Sequence, residues 1–209
     1  MRSVLVLLLV LLCGTFAGPT RAAPCQPAEL FATDNTAVIT DLDSITDDLQ
    51  HFEAQADLTI AHAGATVTGS TLLDAVSWST ELQRPAYERS REFHLCGTGG
   101  SLHTAADALR RQFHQHTVLV FDYLPRRAPE ADAILVTAPG IDAARFRDAL
   151  VADSAAHDRM PTGSVTTDQT LILVAGVDDL DTARRLVGEA GGDPNTATIA
   201  YGRSEFVET

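Results

Sequence analysis

Lysine is absent from this chain of 209 residues: every one of its 15 basic positions is arginine. That absence rules out a Schiff base to a substrate carbonyl or to pyridoxal phosphate, and a P-loop lysine on a nucleotide phosphate. Gly64 to Ser70 has the glycine spacing of a P-loop but carries Ser70 where the lysine belongs, so it is not read as a nucleotide site. Positive charge is scarce overall, with 28 acids against those 15 arginines and a net charge of −13. Such a surface repels phosphates, which makes nucleic acid and anionic lipid poor partners. Long hydrophobic runs are also few. The only one, Val4 to Cys13, is shorter than the roughly 20 residues a spanning helix needs, so no membrane span is expected.

What is present begins with that run. One arginine precedes it and small residues follow it (Gly14, Ala17, Gly18, Ala22, Ala23), the pattern of a cleaved secretory signal peptide over residues 1–22. The expected location is therefore secreted, and losing Arg2 and Arg21 takes the remainder from −13 to −15. Pro24 stands directly before Cys25, where a lipoprotein signal needs a small residue. Cys13 leaves with the leader, so Cys25 and Cys96 remain as an even pair in an oxidising compartment and are expected to form a disulfide. Closing a loop of about 70 residues stabilises by roughly 4 kcal/mol on the chain-entropy estimate. A catalytic thiol is the rejected alternative.

The mature chain reads as α+β. In residues 126–209 the order is strand (Ala133 to Ala138), helix (Ala143, Phe146, Ala149 and Leu150 on one face), and a hairpin (Ser164 to Thr167, Thr170 to Ala175). A helix with the stripe Leu180, Ala183, Val187, Ala190 and a strand from Thr196 follow. That order is the ferredoxin-like βαββαβ arrangement. Residues 23–125 follow the same order: a strand at Thr36 to Thr40, then a helix opened by Ser44 with the stripe Ile45, Leu49, Phe52, Ala56, Ile60. After it come β-like stretches around Val67 and Arg91 to Leu95, a helix with Leu102, Ala105, Ala106, Leu109, and the strand Thr117 to Tyr123. The expectation is two tandem ferredoxin-like units joined near Leu124 to Pro129, with one α+β domain built on a single mixed sheet as the alternative.

Six of the seven histidines lie in the first half. His51 and His62, like His103 and His114, are eleven residues apart on one helix, about 16 Å, too far to share an ion. A metal would need ligands from different elements, for which His94, His114 and His116 are the weak candidates. The stretch Arg84 to His94 concentrates cations. As a strand it puts Tyr87, Arg89 and Arg91 on one face and Glu88, Ser90 and Glu92 on the other. Two guanidiniums beside a phenol suit a carboxylate or phosphate, against the plainer reading of surface ion pairs. The candidate catalytic residues are therefore His94, Arg89, Arg91, Tyr87 and His114. Gly97, Gly99, Gly100 and Ser101, between a strand and a helix start, form a candidate anion-binding loop, against the plainer reading of a tight turn beside the disulfide with Ser101 capping the helix.

The aspartates at 41, 43, 47 and 48 fail the EF-hand pattern, since Thr46 and Phe52 stand where it needs glycine and glutamate. Trp78 is read as a core anchor. There is no nucleophile elbow, no metal-ligand spacing and no cofactor fingerprint. The reading is a non-catalytic binding module for a small molecule or a protein, a second copy of the chain included, with no cofactor. The alternatives are a cofactor-independent hydrolase, lyase or cyclase using the histidine, arginine and tyrosine set, and a metal-binding protein.

Overall fold

The computed structural model describes residues 25–34, 48–160 and 162–208. The leader, the strand expected at Thr36 to Thr40, the Ser44 cap and Asp41, Asp43 and Asp47 lie outside that set. The first strand, β1 (Gln26–Ala32), instead falls in a segment without an obvious strand signature. Its alternation is carried by Ala28, Leu30 and Ala32, small apolar groups that turn to one side, and by Glu29 and Phe31 on the other. Pro27 is tolerated because pairing with the next strand over begins only at Ala28, so its missing N–H interrupts no ladder there.

Helix α1 (Gln50–His62) buries Phe52, Ala56 and Ile60. Strands β2 (Thr66–Ser79) and β3 (Arg84–Gly97) form one long hairpin with a bulge between Val67 and Gly69. Helix α2 (Gly99–Gln112) is capped by the Thr98 side chain, with Ser101 reciprocating to the Thr98 backbone. The cap is thus Thr98, three residues before the expected Ser101. Strand β4 (Thr117–Tyr123) closes this half. The second half runs β5 (Ala133–Pro139), α3 (Ala143–Ala152), α4 (Ser154–Arg159), β6 (Thr162–Thr166), β7 (Thr170–Gly176), α5 (Leu180–Glu189) and β8 (Thr198–Glu208). Asp142 and Asp153 cap α3 and α4 by accepting from Arg145 and Ala156 N–H groups.

The eight strands among the described residues belong to one closed antiparallel barrel in the order β1-β3-β2-β6-β7-β5-β8-β4. This corrects the expectation of two tandem ferredoxin-like units. Strand β2 pairs with β6 from Leu73↔Thr166 to Ser77↔Thr162, and β4 pairs with β8 from Thr117↔Glu208 to Tyr123↔Gly202. Two separate four-stranded sheets would leave four edges of unpaired N–H and C=O groups, and closure removes them all. No local pattern in either half announces these pairings, because they join residues about ninety positions apart.

Closure gives every strand an inner and an outer face. Outward residues of β1, β3 and β4 pack with α1 and α2 around Phe52, Phe93 and Leu109, while those of β5, β6 and β7 pack with α3, α4 and α5 around Phe146, Leu150 and Leu186. A smaller apolar layer inside the barrel comprises Leu73, Phe121, Ala133, Leu135 and Ile172, with Phe31, Tyr123 and Val174 against it. No helix among the described residues is long and apolar enough to cross a membrane. Cys25 and Cys96 form a disulfide across 71 residues with their Cα atoms 5.3 Å apart, an ordinary span for the bond, and it ties the start of β1 to the end of β3.

Two outcomes follow. Gly202 has no room for a side chain, since a Cβ there would lie 2.2 Å from the Asp122 carbonyl oxygen and 2.5 Å from the Phe121 ring. Gly202→Ala should therefore lower unfolding free energy by about 3 kcal/mol or more in chemical denaturation, with a loss under 1 kcal/mol contradicting this account. Thiol titration of denatured, unreduced protein carrying residues 23–209 should find no free cysteine, and reduction should destabilise it by about 4 kcal/mol.

Candidate functional site

The parity of β3 decides what enters the barrel. Phe93 and Leu95 join the outer core with α1 and α2, so Glu88, Ser90, Glu92 and His94 point inward. Glu29 is the cross-strand neighbour of His94, and Phe31 that of Glu92. Cross-strand side chains on one face of an antiparallel pair stand about 5 Å apart at Cβ, close enough for direct bonding.

Inside, Glu29 Oε2 lies 2.6 Å from His94 Nδ1, and the Tyr123 hydroxyl donates to Glu29 Oε1 at 2.8 Å. His94 Nε2 is 3.1 Å from Thr71 Oγ1. Glu92 lies beside this chain of bonds and makes no hydrogen bond among the described residues. Glu29, Glu92 and His94 offer ligand atoms that all fall within 4.8 Å of one another. Burial pushes the Glu92 carboxyl up to about 7, reinforced by the Glu29 charge and opposed by His94. The bond to Glu29 raises His94 against the opposing effect of burial, and burial together with Glu29 pushes the Tyr123 phenol upward.

Farther along the same strands lies a cavity of about 300 Å³. Phe31, Ala75, Leu119, Ile172, Val174 and Phe206 supply its apolar lining, and Thr33, Ser90, Gln115, Thr117, Ser164 and Glu88 its polar groups. Glu88 is the only ionisable residue among the described ones that line it, and burial raises that carboxyl to about 7.

The other residues singled out in the sequence are held elsewhere. Arg89 donates from Nε and Nη2 to Asp74 Oδ1 at 2.9 and 2.7 Å. Arg91 bonds Ser70 Oγ and the Asp48 carbonyl and pairs with Glu53 at 3.0 Å. Tyr87 is buried in the outer core of the second half. The three therefore face away from His94 across the strand. His114, in the left-handed region at φ 54°, and His116 are exposed beyond α2. Gly99 and Gly100 form the first turn of α2, and the Ser101 hydroxyl donates to the Thr98 carbonyl and accepts from the Thr98 N–H. Gly97 ends β3, where a Cβ would meet Ser101 Oγ at 2.7 Å. Trp78 stacks against His157 with ring centres 4.2 Å apart.

Of the clustered residues, sequence reasoning singled out His94 alone. Glu92 and Glu88 were placed correctly on one strand face but given no role. Glu29, Thr71 and Tyr123 lie on strands whose approach to β3 only the tertiary structure reveals.

No family model matches the chain, and no curated protein matches it. One solved structure, that of a candidate glycine cleavage system transcriptional repressor, aligns with 12% identity over 88% of this chain and 99% of that one. Its TM-score of 0.25 is too low to carry an argument about fold or function.

The raised carboxyls set a direction for pH. Glu88 holds its proton in the folded state up to about 7 but releases it near 4.5 when unfolded, so stability is full below about 4.5 and falls as pH rises through 7. His94 acts in the same direction, since the stability its charged form gains from Glu29 is lost as pH rises through its raised folded value. The protein should be more stable at pH 5 than at pH 8. Glu88→Gln should recover about 2 kcal/mol at pH 8 and change little at pH 5. An unchanged pH slope in that variant, measured by urea denaturation, would show that Glu88 is not the cause.

Proposed function

We propose that the protein is an exported binding barrel whose ligand is a small, mainly apolar molecule, neutral or cationic, held in the 300 Å³ cavity. The observation that carries this reading is the lining. Its volume lies at the lower end of ligand pockets, and its walls are apolar with a few polar groups, the composition that binds an apolar body and fixes its orientation. Glu88, without a hydrogen bond or ion pair among the described residues, is the group that selects the polar end. A buried carboxylate without a cation is costly, and a ligand amine or hydroxyl offers the missing donor. An anionic ligand would meet Glu88 with no arginine among the described lining residues to offset it. Export is supported by the Cys25–Cys96 disulfide, a bond that persists in oxidising compartments.

Calorimetric titration of the full chain with phenethylamine and with phenylacetate tests this. The amine should bind and the carboxylate should not. Ala75→Phe, which fills the cavity from its own wall, should abolish binding, and Glu88→Gln should weaken it about tenfold, the worth of one charge-assisted hydrogen bond. Preference for phenylacetate, or binding indifferent to Ala75→Phe, would overturn the reading.

A further inference from the structure

The Glu29, Glu92 and His94 cluster shares no lining residue with the cavity, and it stands whether or not the cavity binds a ligand. We propose that these three side chains form a binding site for a divalent ion of the zinc type, with a further coordination position left open.

Three observations converge. The donor set is one imidazole and two carboxylates, with one atom of each within 4.8 Å of the others, and it is assembled from β1 and β3 by the Glu29↔His94 register. Zinc accepts these donors at about 2.0–2.2 Å, commonly three protein ligands plus a water where the site is open. The imidazole favours zinc over calcium or magnesium, which prefer oxygen alone. Next, Glu92 is 5% exposed, takes no hydrogen bond among the described residues and faces Glu29 and His94. Two carboxylates that face one another inside the barrel repel, and a divalent ion held by both relieves that repulsion.

The third observation is the support around the ligands. Tyr123 donates to Glu29 Oε1, which leaves Oε2 for the ion. Thr71 Oγ1 faces and holds His94 Nε2, so Nδ1, which bonds Glu29 Oε2 here, is the atom that would turn to the ion, with the other ring nitrogen held from outside as in metal-bound histidines. The β2 bulge places Gly69 where a Cβ would come within 3.2 Å of His94 Cδ2, leaving the ring room to shift. Only a small shift is required, because Nδ1 and Oε2 must part from 2.6 Å to about 3.3 Å, the edge of a tetrahedron with such bonds. The His94 side chain is 40% exposed, which gives the ion a way in.

Chelator-treated full-length mature protein titrated with Zn²⁺ alone should take up one equivalent with micromolar or tighter affinity. Glu92→Gln and His94→Gln should each weaken it at least thirtyfold with circular dichroism unchanged, while the His114→Ala/His116→Ala double variant should bind as wild type. Co²⁺ should give visible ligand-field bands that His94→Gln removes. If either ligand variant does not fold, Tyr123→Phe, which removes only the outer hydroxyl, decides the matter with an expected tenfold loss. No uptake by the wild type, equal uptake by the folded variants, or loss of uptake only in the His114/His116 variant would overturn the proposal.

Discussion

Each half of this chain supplies four strands, and neither half alone can satisfy the backbone groups along its outer strands. Pairing of β2 with β6 and of β4 with β8 converts those four edges into two continuous ladders. Everything else depends on that closure. It creates an interior that helices cannot enter, so the five described α-helices cover the outside, and it turns strand alternation into a division between a helix-packed core and a barrel lumen. The cost appears where strands crowd, as at Gly202, which has space for no side chain at all.

The lumen is not filled as a core. Leu73, Phe121, Leu135 and Ile172 make one apolar layer, while Glu29, Glu88, Glu92 and His94 occupy positions that an interior built only for stability would give to aliphatic groups. Glu29 is well satisfied by Tyr123 and His94, but Glu88 and Glu92 are not, and burial raises both carboxyls to about 7. Buried acids without partners weaken a fold, and local violations of the packing rules tend to concentrate where a protein works. The barrel wall offsets their cost with two layers of helix-covered hydrophobic packing and a disulfide across 71 residues.

Parity along β3 explains how the arginine-rich stretch and the histidine came to be grouped as one candidate site. In sequence they are neighbours, within Arg84 to His94. In space Arg89 and Arg91 face outward into ion pairs with Asp74 and Glu53, while His94 faces inward to Glu29. The alternation was legible, since Glu88, Ser90 and Glu92 were assigned to the face opposite Tyr87 and the arginines. What was not legible was which face met a pocket, because both carry charge and hydropathy cannot choose between them. Glu29 was harder still. Its strand contains a proline and two alanines, too weak an apolar pattern to announce a buried element without its neighbours β3 and β4.

Helical stripes were readable because each repeats within a few turns: Phe52, Ala56 and Ile60, then Leu102, Ala105 and Leu109, then Phe146, Ala149 and Leu150 are all buried as their spacing implies. The pairing of Cys25 with Cys96 was readable by elimination. The number of sheets was not, because strand register between halves is chosen by complementary edges rather than by any residue pattern within one strand. By itself the chain's order of residues determined its local periods, its missing lysine chemistry and its acidic surface. Only the folded barrel decided which carboxylates meet an imidazole, since that meeting requires distant strands to be brought side by side.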